Sequence, residues 1–203
     1  MLKRYIFSVL TLFFVTACTL GSPPPIPVDI DSSTPGGTIT RGGTPFQLLG
    51  TPVAVGEPLP SVALYSNNLN RVDLSERKGR VMLISVVPSI DTGVCEQQTH
   101  LLGEKEGVSE QIERITISRD LPFAQKRFRD ETGFDDVLFL SDFQDGAFGM
   151  KTGLLVEKVK LLARTVMVVD KQGIVRYLQV VPESGHLPDM DRAFAFAQQL
   201  AEE

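Results

Sequence analysis

Short, almost purely apolar runs along this chain alternate with stretches in which apolar positions return every three or four residues, so strands and helices are expected to alternate. Val81–Val87 is nearly continuous and rich in branched side chains, the pattern of a central strand covered on both faces. Similar runs at Ile115–Ser118, Val137–Leu140 and Val166–Val169 predict further strands. The last is followed by Asp170-Lys171-Gln172-Gly173 and then Ile174–Val181, which reads as an antiparallel hairpin. A second hairpin is expected over Ile39–Leu49, around the turn signal Gly42-Gly43-Thr44-Pro45. Helices fit between the strands: one over about Thr92–Gly107, and one starting at Asp120, whose carboxylate can cap it with Pro122 in the first turn. At the end of the chain Met190, Ala193, Phe194, Ala197 and Leu200 share a helical face, and that stripe reads as core rather than a cofactor contact. The sum is an α/β fold: a mixed central β-sheet flanked by helices, with an N-terminal β-hairpin.

The first forty residues follow a different pattern. Lys3 and Arg4 precede an apolar stretch, Tyr5–Val15, and small residues lead to Cys18. Eleven helical residues reach only about 16 Å against a hydrocarbon core of about 30 Å, so the stretch is too short to span a bilayer and reads as a secretory signal. Val15-Thr16-Ala17-Cys18 resembles the lipobox of bacterial lipoproteins, which implies cleavage before Cys18 and lipid on its sulfur. Residues 1–17 are then a lipoprotein signal peptide and the mature chain a membrane-anchored lipoprotein of the cell envelope, on its periplasmic or other extracytoplasmic face. Residues 18–38, dense in Gly, Pro, Ser and Thr with no hydrophobic period, are expected to be a flexible tether. The globular domain is expected over 39–203.

Composition narrows the chemistry. The 203 residues carry a formal net charge of −5 with no basic run, which argues against nucleic acid as a partner. There are two cysteines, no Cys-x-x-Cys and no Cys or His pair at ligand spacing, so neither disulfide exchange nor a metal site has support. Gly36-Gly37 and Gly42-Gly43 lack the Lys-Ser/Thr of a phosphate loop, and no cofactor is predicted. His100 would point away from Cys95 on the expected helix, and His186 falls in a loop; neither is placed as a base.

One cysteine stands in a reactive context. Pro88-Ser89-Ile90-Asp91-Thr92-Gly93-Val94-Cys95 follows the central strand and opens a helix, so Cys95 falls in the first helical turn, where unpaired N–H groups and the helix dipole favour thiolate over thiol. Thr92 can turn its hydroxyl toward the sulfur, and Pro88 can wall the pocket. The Pro-x-x-x-Thr-x-x-Cys pattern resembles that of peroxiredoxins. Together with Asp120-Leu121-Pro122-Phe123-Ala124-Gln125, the string is similar to the bacterial thiol peroxidase subfamily, over about Ile39–Ala201. That resemblance implies a thioredoxin-like fold, a homodimer, and reduction of hydrogen peroxide and organic hydroperoxides at Cys95. It also implies a site completed by Arg164 in Leu161-Leu162-Ala163-Arg164-Thr165-Val166. Backbone N–H groups of Gly93–Cys95 would assist.

The chain departs from the family at one place. Many thiol peroxidases resolve the oxidised cysteine with a second one on the helix after Asp120; the matching position here is Arg129. With Cys18 lipidated, the expectation is a one-cysteine cycle in which an external thiol, a thioredoxin-like protein or a low-molecular-weight thiol, reduces the sulfenic acid. Alternatives are resolution by an unlipidated Cys18, and a peroxide sensor or non-catalytic lipid-anchored redox module. Lys126, Arg127 and Arg129 are read as a solvated face balanced by Asp130 and Glu131 rather than a reductant dock.

Overall fold

The computed structural model describes residues 25–203, so the expected signal peptide over 1–17 and Cys18 lie outside the described residues. The first strands are β1 (Val28–Asp29), β2 (Thr38–Arg41), β3 (Thr44–Leu49), β4 (Leu64–Ser66) and β5 (Arg71–Val72). Then come β6 (Val81–Val86), α1 (Gly93–Gly103), β7 (Ile112–Ser118), α2 (Pro122–Thr132), β8 (Val137–Ser141), α3 (Ala147–Thr152) and β9 (Leu155–Val156). The chain closes with β10 (Thr165–Val169), β11 (Val175–Val180), β12 (Leu187–Pro188) and α4 (Met190–Glu202).

Seven strands form the main sheet in the order β11-β10-β6-β7-β8-β4-β5. β6, β7 and β8 run parallel, joined by helical crossovers, while β10 is antiparallel to β6 and β11 to β10, as a mixed sheet with a terminal hairpin requires. Every residue of β6 is buried. Its side chains alternate between faces: Val81 and Leu83 pack with residues of α1, α2 and α4, and Met82, Ile84 and Val86 pack with Leu48, Phe148 and Leu154 on the other side. Each such side chain contributes about 1.5–3 kcal/mol of burial. The inward stripe of α4 is Met190, Ala193, Phe194, Ala197 and Ala201; Leu200, expected in that stripe, sits half-buried at its edge. Helix α1 stops four residues before the expected Gly107, and a Cβ at Gly103 would lie 2.7 Å from the Phe134 ring, so this glycine permits close helix-to-loop packing.

β2 and β3 pair around Gly42 (φ +55°) and Gly43 (φ +77°), a two-residue turn in which both central residues need the left-handed region. This hairpin joins β9 in a three-stranded sheet, order β2-β3-β9.

The expected boundary at residue 39 is corrected by the segment just before it. Val28 and Asp29 pair in parallel with Leu187 and Pro188, Leu187 N–H donates to the Pro27 carbonyl (2.8 Å), and Ser33 N–H donates to the Val180 carbonyl (2.8 Å). Gln179 Nε2 donates to the carbonyls of Asp29 (2.6 Å) and Asp31 (3.1 Å), and His186 Nδ1 meets Asp29 Oδ1 at 2.7 Å. The later part of the supposed tether is thus docked on the domain. It lacks a hydrophobic period because main-chain hydrogen bonds to a sheet edge, rather than a buried face, hold it.

Candidate active site

β6 delivers the chain to the loop Val87–Asp91, and α1 starts at Gly93, which makes Cys95 the third helical residue. Cys95 is fully buried, at the floor of a cavity of about 200 Å³ that Pro88, Thr92, Gly93 and Arg164 also line. Among the described residues it is the only cysteine.

Arg164 precedes β10 and is 2% exposed. Its fork makes three contacts: Nη2 donates to Cys95 Sγ (3.3 Å), Nη1 to Gln98 Oε1 (2.8 Å) and Nε to the Ser184 carbonyl (3.1 Å). No carboxylate pairs with it among the described residues. A guanidinium taken out of water without a counter-charge is costly, and the one group in contact that can become an anion is the Cys95 sulfur.

Gln98 escaped the sequence reading. It lies one turn after Cys95, hence on the same helical face, and that spacing was the available signal; its full burial shows only in the structure. Its Nε2 donates to Ser85 Oγ (2.8 Å) on β6 while its Oε1 holds Arg164, so the guanidinium is oriented from the sheet.

Two expectations are corrected. The Thr92 hydroxyl does not meet the sulfur; Thr92 stands at the N-cap of α1 and its Oγ1 donates to the Ser89 carbonyl (3.2 Å), stiffening the loop. No side chain caps this helix, so its first-turn N–H groups are not claimed by a threonine or serine oxygen. Asp120 likewise does not cap α2, whose N-cap is Leu121. Its carboxylate instead accepts from Ser89 Oγ (2.7 Å) and Ile90 N–H (2.8 Å), clamping the loop that carries Pro88 and Thr92. The reach across to a neighbouring loop outcompetes a local cap because it satisfies two donors of a half-buried turn.

Arg129 lines a separate cavity of about 650 Å³ and pairs with Asp130 (3.3 Å) and Asp135 (3.8 Å). Lys126 pairs with Asp130 and Arg127 with Asp91, so the whole basic cluster of α2 is matched by carboxylates. His100 meets Glu104 (2.7 Å) and stacks edge-on to Phe134, away from the sulfur's contacts.

A thioredoxin-like sheet carrying one buried thiol at a helix start, against a buried arginine, defines the peroxiredoxin class of proteins. Residues 54–194 match the redoxin family. The chain belongs to that family and, within it, to the thiol peroxidases. It is 46% identical over 155 residues to the thiol peroxidase of Staphylococcus saprophyticus, an alignment spanning 76% of this chain and 94% of that one. It is 42% identical over 161 residues to the thiol peroxidase of Halalkalibacterium halodurans, spanning 79% and 97%. Among solved structures it resembles a peroxiredoxin-like protein from Aquifex aeolicus, with TM-score 0.76 and 34% identity over 80% of this chain and 96% of that one. The thiol peroxidase from Chromobacterium violaceum shares the fold at TM-score 0.69 and 19% identity, over 80% and 96%.

Proposed function

We propose that this protein is a thiol-dependent peroxidase that reduces hydrogen peroxide and organic hydroperoxides through Cys95 alone. The observation that carries the reading is the buried Arg164 guanidinium, 3.3 Å from the sulfur and without a carboxylate partner among the described residues. The Cys95 thiolate attacks the distal oxygen of ROOH; the S–O bond forms, the O–O bond breaks, and the electron pair leaves with RO⁻, which takes up a proton and departs as ROH, or as water from hydrogen peroxide. Sulfur is oxidised by two electrons to sulfenic acid. Arg164 and the first-turn N–H groups of Gly93–Cys95 stabilise charge as it shifts onto the peroxide oxygens, while Pro88 and Thr92 shape the pocket. An external thiol then condenses with the sulfenic acid, releasing water and leaving a mixed disulfide, and a second thiol cleaves that disulfide to regenerate Cys95.

The test is one equivalent of hydrogen peroxide added to the reduced protein, with Cys95 followed by mass and by a sulfenic-acid trap. Rapid gain of one oxygen, followed by many turnovers once a thiol is supplied, is expected. A single oxidation that no thiol reverses would favour the sensor, and no oxidation would end the reading.

The reading extends to place and assembly. Val15-Thr16-Ala17-Cys18 supports lipid on Cys18 and residence on the extracytoplasmic face of a membrane; acyl incorporation that survives Cys18→Ala would sink it. Leu121 (55% exposed) and Phe123 (62%), beside the Asp120 clamp, offer an apolar face to a second copy in a homodimer. Light scattering should show a dimer that Phe123→Ser weakens.

A further inference from the structure

We propose that Asp29 is a positioning residue for the reaction at Cys95: from outside residues 54–194, which match the redoxin family, it fixes the peptide whose carbonyl holds Arg164. This deepens the peroxidase reading and rests on it. Two of the three partners of the guanidinium, Cys95 and Gln98, stand on α1, whereas the third, the Ser184 carbonyl, belongs to the loop between β11 and β12. Ser184 and Gly185 also line the Cys95 cavity, so movement of this loop is felt where peroxide binds.

The carbonyl in question sits in the peptide unit joining Ser184 to Gly185, and a glycine on one side of a peptide leaves it freer to rotate than any other residue would. The unit keeps one orientation only if the chain is held on both sides of it. On the near side Thr40 of β2 does this: Ser184 N–H donates to the Thr40 carbonyl (2.8 Å), Thr40 N–H donates to the Pro182 carbonyl (2.7 Å), and the Thr40 hydroxyl donates to Glu183 Oε2 (2.8 Å). On the far side His186 N–H closes the turn onto the Glu183 carbonyl (2.8 Å), and the remaining bonds go to the docked segment. His186 Nδ1 meets Asp29 Oδ1 (2.7 Å), and Leu187 N–H donates to the Pro27 carbonyl (2.8 Å). The other oxygen of Asp29 accepts from Glu183 N–H (3.4 Å), so one carboxylate spans the loop from residue 183 to residue 186, with Ser184 and Gly185 between its two grips. Asp29 is itself fixed. Its carbonyl accepts from Gln179 Nε2 (2.6 Å), it pairs with Pro188 in β1, and its side chain is only 21% exposed, so water competes weakly for these bonds.

A merely structural Asp29 would hold the segment and leave the chemistry of the sulfur alone. Two measurements on the reduced protein separate the cases: the stopped-flow rate at which hydrogen peroxide oxidises Cys95, and the pH midpoint of Cys95 alkylation by iodoacetamide, followed by the mass of its peptide. In Asp29→Ala the rate should fall about three- to tenfold, the range of one hydrogen bond, and the midpoint should move to higher pH as the guanidinium loses its place beside the sulfur. Asp29→Asn, which keeps an oxygen for His186, should recover most of both. His186→Ala, a change at a half-exposed side chain, should match Asp29→Ala, and the double variant should be no slower than either alone. Ser33→Ala removes a bond of the same segment that does not reach the loop, from its Oγ to the Thr38 carbonyl (2.7 Å), and should leave both readouts at wild-type values. Wild-type rate and midpoint in either Asp29→Ala or His186→Ala overturn the assignment. So does an equal loss in Ser33→Ala, which would show a general loosening of the segment. Failure of wild type to react with hydrogen peroxide would overturn the peroxidase reading itself, and the alkylation midpoints would still decide the role of Asp29.

Discussion

If Cys95 supplies the counter-charge of Arg164, removing the anion must cost stability, and the cost must vanish when the arginine goes too. Cys95→Ser keeps the shape of the side chain but leaves a neutral hydroxyl at pH 7, so the guanidinium stays buried against neutral acceptors only. Removing one partner of a buried pair typically costs about 3–5 kcal/mol. Here the Gln98 and Ser184 oxygens remain on two arms of the fork, and the cavity beside it admits water, so about 2–3 kcal/mol is expected. In an Arg164→Met background, with no charge left to balance, the same Cys95→Ser change should cost under about 1 kcal/mol. The coupling, about 2 kcal/mol, is read from urea unfolding of the four reduced proteins at pH 7 as a double-mutant cycle. Equal costs in the two backgrounds would refute the idea that the sulfur carries the balancing charge.

Gln98→Leu should slow oxidation of Cys95 by hydrogen peroxide about tenfold, since about 1.4 kcal/mol of arginine positioning is lost, and Gln98→Glu, which gives Arg164 a carboxylate in place of the sulfur, should not restore the rate; an unchanged stopped-flow rate in Gln98→Leu would remove Gln98 from the site. Burial is the main influence on Asp142 and holds its carboxyl above the ordinary 3.8, although the N–H groups of Phe148 and Gly149 and the nearby Arg119 pull it down. Folding thus favours the protonated form, and the associated stability is present at low pH and lost as pH rises through the raised value. Asp142→Asn, neutral throughout, should therefore gain on wild type in urea midpoint between pH 4 and pH 7, and a gap moving the other way would contradict this. A chain beginning at Thr38 forfeits the hydrogen bonds of residues 27–33 and should unfold about 1–3 kcal/mol more easily; an unchanged midpoint would restore the free-tether picture of that segment.

The strands of the central sheet were legible because complete burial leaves an unmistakable apolar run, as at Val81–Val87, and the hairpin turn because two consecutive glycines serve few other backbone shapes. Cys95 was legible from its place after a strand, and Arg164 only through family resemblance, since nothing in its spacing distinguishes it from a solvated strand-end arginine. What stayed hidden were partners far apart in sequence. Asp120 looked like a helix cap because Pro122 follows it, yet Ser89 and Ile90, thirty residues earlier, offer its carboxylate more. Thr92 looked aimed at the sulfur on linear spacing, but its N-cap backbone turns the hydroxyl back to Ser89. The docked segment at Val28–Ser33 was hidden because composition reports whether a segment can build its own core, and says nothing about an edge that another part of the chain leaves open.

A one-cysteine cycle places a demand on the pocket that a two-cysteine cycle does not. With Arg129 turned into a different cavity and paired with Asp130 and Asp135, the sulfenic acid has no thiol on α2 to meet, and whatever reduces it must come through the opening that admitted the peroxide. The two half-reactions then share walls but not chemistry: Arg164, held in place by Gln98, acts on the peroxide oxygens, whereas Val159, half-exposed, lines the pocket that both reagents enter. Val159→Phe should accordingly slow peroxide oxidation and thiol reduction by similar factors, most for bulky reagents on either side, while Gln98→Leu slows mainly the first. Separate stopped-flow measurement of each half-reaction, with hydrogen peroxide and cumene hydroperoxide as oxidants and dithiothreitol and a thioredoxin as reductants, tests this. If Val159→Phe slowed the oxidation alone, the thiol would have a route of its own, and the shared opening would have to be abandoned.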